Sequence, residues 1–336
     1  MKKTLSKLLV VVAVATLCGC HKQAKLAPDK PHSDGKVFFA VDFKPNQKLT
    51  YKFTSRRTIK VNWSGKEGGR KNKNQNPAKF SESMEMVVTY TGLEVNPFGL
   101  SVIRAKINSV KARRSQQSSI TEPIKTLTGK TFTFTVWPNG KIDDYSQLKT
   151  LIKKLGAKAF KRHEKRIKES DMIDDFIATQ WFLWDAVSSI EEPSEGVMPG
   201  QTWNSKLIIP GPMVMRKALN VTYKLAEISL TKKGKIALIK STFAPSKTVP
   251  SDWPMPYEGS FRMAGTFGFL RGYSLENARG KGQQIFNLDN GRIQKDERNY
   301  TVELKATMPF IATRPKITIE QSLNMKLVSV KEPNQQ

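Results

Sequence analysis

The sequence predicts a mainly β (α+β) protein in which long antiparallel strands form an open barrel or two packed sheets, as two related β halves joined by a helical connector. Apolar and polar residues alternate with period two through most of the chain, which is typical of half-buried strands. Almost every run has one apolar and one polar face, and this favours an antiparallel sheet over a parallel sheet covered on both sides. Only residues 146–190 show helical spacing instead.

The first β half is assigned to residues 37–145. Its clearest strand runs from Leu49 to Trp63, with apolar side chains on one face and lysine, arginine and threonine on the other. The polar, glycine-containing stretch 64–79 predicts a loop after this strand. Further alternating runs follow, and the last of them ends at Pro138-Asn139-Gly140, where Asn-Gly predicts a tight turn.

Residues 146–190 predict the helical connector. Leucines recur at helical spacing from Leu148 to Leu155, and a second helix with a tryptophan-rich apolar face is predicted to begin at Ser170. The surface of the first helix is strongly basic, and we interpret it as an anion-binding site. Its residues are Lys153, Lys154, Lys158, Lys161, Arg162, Lys165 and Arg166. A solvated helix that only covers the sheet is the alternative interpretation.

The second β half, residues 191–336, returns to alternating strands. Val221-Thr222-Tyr223 matches Val88-Thr89-Tyr90 in the first half, and each triplet is followed by a turn at glycine. A second Asn-Gly strand exit occurs at Asn290-Gly291. We interpret these matches, which keep the same order in both halves, as an internal repeat. Chance similarity between hairpins is the alternative.

The N-terminus carries an export signal. Three early lysines precede an apolar run of roughly ten residues, about half of the ~20 residues that span a bilayer. The following Leu17-Cys18-Gly19-Cys20 resembles the lipobox of bacterial lipoproteins, in which the final cysteine is lipidated. The resemblance implies a signal peptide over 1–19, a lipidated Cys20 and a flexible tether over 20–36. A structural cysteine pair, a metal site and cleavage by the ordinary signal peptidase are the alternatives.

The net charge and the predicted location together indicate the class of partner. His21 follows the lipidated cysteine where some inner-membrane lipoproteins have Asp, so the resemblance implies the periplasmic face of the outer membrane. The formal net charge is +27, and it becomes +24 once the three lysines of the signal peptide are removed. Such a charge predicts an anionic partner, and export favours lipopolysaccharide, anionic lipid or acidic polysaccharide over nucleic acid. A purely solvating role for the charge is the alternative.

Side chains that commonly carry catalysis are scarce. Of the 3 histidines, His21 and His32 lie in the predicted tether, so a nucleophile–histidine pair is not expected. The adjacent carboxylates Asp143-Asp144, Asp174-Asp175 and Glu191-Glu192 could serve a glycosidase, but adjacent acids more often cap helices or solvate turns. The sequence shows no nucleotide-binding loop or metal-ligand spacing. We therefore expect no enzymatic activity, no cofactor and no metal.

The lipobox, the β-rich halves, the Pro199-Gly200 approach to Trp203 and the Asn-Gly strand exits together resemble uncharacterised families of bacterial lipoproteins of unknown function. The resemblance implies no site residues. We expect a non-catalytic binding or scaffold protein for an anionic envelope component. A periplasmic lipid or lipoprotein carrier with an apolar cavity is the alternative, and an enzyme acting on envelope polysaccharide ranks third. Tight filling of the concave face by Phe176, Trp181 and Trp184 would disfavour the carrier.

Overall fold

A computed structural model describes most of the chain after residue 34. The described residues are 35–63, 77–115, 123–148, 150–151, 154, 161–162, 165–168, 180, 183–208, 218–248, 262–263, 272–307 and 314–333. The chain divides into two compact units, 1–34 and 35–336, and all described residues belong to the second. No described helix is both long and apolar enough to cross a membrane.

Ten long antiparallel strands form one open sheet, and three short strands form a separate small sheet. The strands are β1 (Lys48–Asn62), β2 (Ala78–Val95), β3 (Ser101–Arg114), β4 (Thr131–Val136), β5 (Lys161–Arg162), β6 (Lys165–Lys168), β7 (Thr202–Ile208), β8 (Ala218–Thr231), β9 (Gly234–Ser246), β10 (Arg262–Met263), β11 (Gly272–Asn287), β12 (Arg292–Thr307) and β13 (Lys316–Lys331). The order in the large sheet is β4-β3-β2-β1-β13-β12-β11-β9-β8-β7. The expected mainly β class and antiparallel pairing are confirmed. The ten strands form one open sheet rather than two packed sheets.

Alternation of side chains decides which face of each strand is buried. In β1, the inward positions begin with Leu49, Tyr51 and Phe53, all nearly inaccessible to solvent, while Lys52 and Lys60 point outward. Each large apolar side chain buried in this way contributes about 1.5–3 kcal/mol to folding. The other long strands repeat the pattern, so the sheet has one apolar inner face and one polar outer face.

The large sheet is curled, as the contacts of the N-terminal segment (residues 35–47) show. This segment contacts strands that are far apart in the sheet order. Val41 N donates to Pro138 O (2.7 Å) after β4, and the next residue, Asp42, donates from N to Gly291 O (3.2 Å) between β11 and β12. On a flat sheet these points would be at least five strand spacings apart, about 24 Å. Val37 pairs with Val197 just before β7, so this segment joins the two edges of the sheet at one end.

The two predicted Asn-Gly exits are the turns that the N-terminal segment contacts. Gly140 and Gly291 have φ angles of 84° and 57°, in the left-handed region that favours glycine. A Cβ atom on Gly291 would lie 2.6 Å from Ala40 O, so a side chain there would collide with the segment. Strands β1 to β4 and strands β7, β8, β9 and β11 share order and direction in the sheet. Any antiparallel meander has this property, so the internal repeat stays a prediction.

Within the predicted helical connector, the basic stretch is not helical throughout. Residues 146–148, 150–151 and 154 are helical, but β5 and β6 pair as a small antiparallel hairpin, and β10 pairs with β6. A helix through this stretch would stack like charges four residues apart, along Lys154, Lys158, Arg162 and Arg166. Such pairs destabilise a helix by about 0.2–0.5 kcal/mol each. A short helix, α1 (Asp185–Ser188), follows further along the chain.

Candidate anion-binding surface

The predicted site residues do not form one helical face. Cys20 lies outside the described residues, as do Lys153 and Lys158. Lys154 is exposed on a helical turn. The remaining four, Lys161, Arg162, Lys165 and Arg166, lie in the β5–β6 hairpin, where Lys161 pairs with Arg166 and Arg162 pairs with Lys165. Four of the predicted cations therefore lie on β5 and β6 rather than on a helix.

The outer face of the large sheet carries many positively charged side chains. Neither β1 nor β3 contains an Asp or a Glu. Their outward positions instead hold eight cations: Lys48, Lys52, Arg56, Lys60, Arg104, Lys106, Lys111 and Arg113. Because these two strands flank β2, the cations form a broad basic field near one edge of the sheet.

At the centre of the sheet, three lysines lie directly opposite one another. Lys52 of β1 is paired with Lys326 of β13, and Lys326 is paired with Lys295 of β12. We call these three residues the lysine row. Cβ atoms of directly opposed residues are about 4.5–5.5 Å apart, and like charges in such positions destabilise a sheet.

In the lysine row, only the charges of the two outer lysines are compensated by carboxylates, which belong to a neighbouring row of side chains on the sheet. Glu85 Oε2 lies 2.6 Å from Lys52 Nζ, and Glu297 Oε1 lies 2.7 Å from Lys295 Nζ. The hydrogen bonds from these lysines hold the pKa of each carboxyl below its usual value. Lys326 is exposed and has no carboxylate within ion-pair distance among the described residues. The row therefore presents an uncompensated ammonium group between two compensated ones.

The inner face contains a buried polar network that the sequence did not predict. Arg298 Nε donates to Asp296 Oδ1 (2.8 Å), and Gln284 Nε2 donates to Asp296 Oδ2 (2.7 Å). Nearby, Tyr223 Oη and Ser205 Oγ donate to the two oxygens of Asp185, at 2.6 Å and 2.9 Å. Burial raises the pKa of Asp185, although the hydrogen bond from Tyr223 opposes that shift. These contacts give the buried polar groups hydrogen-bond partners, and those of Asp185 join α1 to β7 and β8.

A second buried charge cluster lies on the inner face of the first half. Glu82 Oε1 accepts a hydrogen bond from Arg114 Nη1 at 2.7 Å, and Glu82 Oε2 lies 3.5 Å from Arg57 Nη1. The signal for this cluster is visible in the sequence, because Ser55 and Arg57 interrupt the apolar face of β1. A single polar break in a long alternating strand indicates an inward polar side chain.

The end of the inner face next to the N-terminal segment is filled by aromatic side chains. Trp184, 4% exposed, packs against Phe43 and Phe134 with ring centroids 6.0 Å and 5.8 Å apart. Trp203 Nε1 donates to Ala186 O, which fastens α1 to the edge strand β7. Phe176 and Trp181 lie outside the described residues. The described part of this end therefore leaves the inner face packed by protein.

The adjacent carboxylates have structural partners where they are described. Asp143 Oδ1 accepts a hydrogen bond from Trp137 Nε1 at 3.1 Å, and Asp144 Oδ1 accepts one from Ser146 N at 2.8 Å. The second contact lies at the start of the helical residues that begin at 146. Glu192 is exposed, and its hydrogen bond with Glu195 raises its pKa. Within the described residues, no cluster of three or more His, Cys, Asp or Glu side chains could hold a metal ion.

Comparison with known proteins gives only distant structural similarities. No protein-family model and no curated protein matches the chain. A lipovitellin structure concerned with lipid–protein interactions has a TM-score of 0.48 and 12% identity, and the match covers 86% of this chain and 26% of the lipovitellin chain. The chain thus spans about a quarter of that protein.

Two bacterial structures are matched over nearly their whole length, with lower TM-scores. A Bacteroides fragilis protein of YmcC-like fold, inferred to be exported, has a TM-score of 0.29 and 9% identity over 88% of this chain and 100% of its own. An inferred lipoprotein from Parabacteroides distasonis has a TM-score of 0.29 and 10% identity over 88% and 99%. All these TM-scores are below 0.5, so the similarities assign neither a fold family nor a function.

Proposed function

We propose that this protein is a membrane-anchored envelope lipoprotein that binds an anionic envelope component, without catalysis, through the outer face of its large sheet. The observation that carries the proposal is the lysine row of Lys52, Lys326 and Lys295. Opposed like charges cost the isolated sheet stability, and an anionic partner would remove that cost. The proposed anchor at Cys20 would keep the protein at an anionic membrane surface.

The charges of the outer face are sufficient for reversible binding to an anionic surface. Each Lys or Arg near such a surface contributes about 1 kcal/mol, and this contribution falls off within a Debye length. Lys326, the uncompensated residue of the lysine row, would supply about 1 kcal/mol, and the other cations of β1 and β3 would add to it. Binding should therefore weaken steeply as salt concentration rises.

Vesicle binding tests the proposal. The full chain with Cys20→Ser, which lacks the acylation site, should enter the soluble fraction of cells that are lysed at high salt. At low salt it should bind lipopolysaccharide and vesicles of anionic phospholipid, but not zwitterionic vesicles. Replacing Lys52, Lys295 and Lys326 by Gln should weaken this binding at least tenfold, which corresponds to about 1.4 kcal/mol. If Cys20→Ser protein stays in the membrane fraction at high salt, where electrostatic binding is screened, the anchor is wrong.

A matched control separates the lysine row from net charge. Lys125, Lys130 and Lys141 are exposed cations in connections of the first half, and replacing all three by Gln removes the same charge. This control variant should keep most of the binding. Equal losses in the two triple variants would show that only net charge matters, and the lysine row would then be rejected as the site. A third variant with Lys161, Arg162, Lys165 and Arg166 replaced by Gln measures the hairpin separately.

The carrier function is the weaker candidate. It requires an apolar cavity on the inner face, and Trp184 with its aromatic neighbours fills that face next to the N-terminal segment. The buried ion pair of Asp296 and Arg298 also places charge where acyl chains would lie. Lipid that copurifies with the Cys20→Ser protein in stoichiometric amount would reverse this ranking.

A further inference from the structure

Strands β12 and β13 separate at one end of the sheet and leave a cavity between them. Their ladder ends at the Lys295–Lys326 pair, yet β12 begins at Arg292 and β13 continues to Lys331. Beyond that pair, β12 stays paired with β11 and β13 stays paired with β1. The cavity in this fork has a volume of about 320 Å³. We call it the fork cavity.

Two β-bulges hold the fork open. The β13–β1 register passes from Leu327 to Ser329, which leaves Val328 as an extra residue. The β12–β11 register passes from Lys295 to Ile293, which leaves Gln294 as an extra residue. Both bulges occur just beyond the last β12–β13 pair and bend the two strands locally. Bulges of this kind are common beside functional sites, where they redirect side chains.

Hydrogen bonds close the far end and the inner side of the fork. Arg292 Nη1 donates to Glu332 Oε1 (3.4 Å), and Gln47 Nε2 donates to Glu332 Oε2 (2.8 Å). From the inner face, the buried Tyr51 Oη donates to Ile293 O (2.9 Å). The fork is therefore a bounded site rather than a frayed end of the sheet.

The lining of the fork cavity is cationic and rich in hydrogen-bond donors. The lining residues are Lys233, Asn287, Asn290, Arg292, Gln294, Leu327, Val328, Ser329 and Val330, and none of them is acidic. Lys233 reaches the cavity from the β8–β9 turn, whose position is fixed because Asn287 Nδ2 donates to Lys233 O at 2.7 Å. Lys233 and Arg292, which is also paired with Glu332, together with amide and hydroxyl neighbours suit an oxyanion. The three apolar residues would contact an attached organic group.

Arg292 supplies a second observation that points to a ligand. Its Nε atom is buried and has no hydrogen-bond acceptor among the described residues. The ion pair with Glu332 holds the guanidinium through Nη1. Buried donors are nearly always satisfied in proteins, so the unsatisfied Nε–H belongs to a guanidinium whose hydrogen bonds the described residues do not complete. Arginine is also the side chain whose planar donors best match phosphate and carboxylate oxygens.

We propose that the fork cavity binds a phosphate group, through Arg292 and Lys233, either as the free ion or as the headgroup of a small phospholipid. At about 30 Å³ per water molecule, the cavity would hold roughly ten waters, so a phosphate and a short organic substituent both fit. The proposal does not rest on the lysine row, because Arg292 and Lys233 are not part of it.

Calorimetric titration of the full-length Cys20→Ser protein tests the site with two probes: inorganic phosphate and a short-chain phosphatidic acid below its micellar concentration. Binding of the first probe identifies a site for the free ion, and binding of the second alone identifies a headgroup site. Arg292→Gln and Lys233→Gln should each weaken the observed binding about tenfold, as expected for loss of one charge-assisted hydrogen bond.

Lys232→Gln is the matched control, since Lys232 is an exposed neighbour in the same turn and does not line the cavity. It should leave binding unchanged. The proposal is overturned if neither probe binds, or if Lys232→Gln and Lys233→Gln weaken binding equally. Lys233→Gln also keeps the test independent of folding, because that side chain is exposed and its carbonyl remains available to Asn287.

Discussion

Removing the charge of Glu82 should destabilise the protein far more than removing the charge of Glu85 on the same strand. The Glu82 side chain is 9% exposed and contacts Arg57, whose side chain is 1% exposed, and Arg114, whose side chain is 22% exposed. Glu82→Gln leaves the buried Arg57 guanidinium without the carboxylate that now compensates it. Removing one partner of a buried ion pair typically costs about 3–5 kcal/mol. We expect about 3 kcal/mol, because Arg114 is partly solvated and Gln keeps an acceptor oxygen.

Glu85→Gln is the comparison, since Glu85 lies on the outer face and is paired with Lys52 at 35% and 42% side-chain exposure. An exposed pair of this kind contributes at most about 1 kcal/mol. Urea unfolding at neutral pH, with a common slope for all three proteins, measures both differences. A loss for Glu82→Gln no greater than that for Glu85→Gln would refute the assignment of Glu82 to a buried charge cluster.

Two further substitutions test the interior. Burial raises the pKa of Asp185 in the folded state, so ionisation of this carboxyl costs stability as pH rises from the unfolded pKa through the folded pKa. The urea midpoint of Asp185→Asn, measured relative to that of the wild type, should therefore increase between about pH 3 and pH 7, a range that begins near ordinary carboxyl pKa values. A difference in midpoint that stays constant with pH would contradict the shift. Gly291→Ala, with φ 57° and a Cβ 2.6 Å from Ala40 O, should cost at least about 2 kcal/mol, against about 1 kcal/mol for Gly129→Ala, where no atom lies within 4 Å.

Much of the sheet follows from local pattern. Alternation in β1 identifies its inward face, and the break at Ser55 and Arg57 even marks the buried charge cluster. Asn-Gly predicts the turn at Gly140, because only residues that tolerate positive φ suit it. The predicted basic helix differs from the structure at residues 161–162 and 165–168, which are strands; apolar spacing does not include the repulsion between cations four residues apart.

Strand order and the candidate sites are not local properties. Gln47 and Glu332 form a hydrogen bond across 285 positions of sequence. Each lysine of the lysine row is an ordinary outward residue in its own strand, and it becomes part of a site only through the register of β1, β13 and β12. The fork cavity likewise depends on two bulges that lie in different strands. A period-two pattern defines faces but leaves partner and register open.

Lys326→Glu separates a structural role of the lysine row from a binding role. Strands β1 and β13, which carry Lys52 and Lys326, also place Lys60 Nζ 2.6 Å from Glu320 Oε1. Pairs of opposite charge are therefore possible between these two strands. A carboxylate at position 326 would lie directly opposite Lys52 and Lys295, and two favourable cross-strand pairs should add about 0.4–2 kcal/mol to the free energy of unfolding. If the row exists to bind anions, this more stable variant should bind anionic vesicles more weakly than Lys326→Gln does. Greater stability with unchanged vesicle binding would mean that the opposed lysines serve no partner on this face.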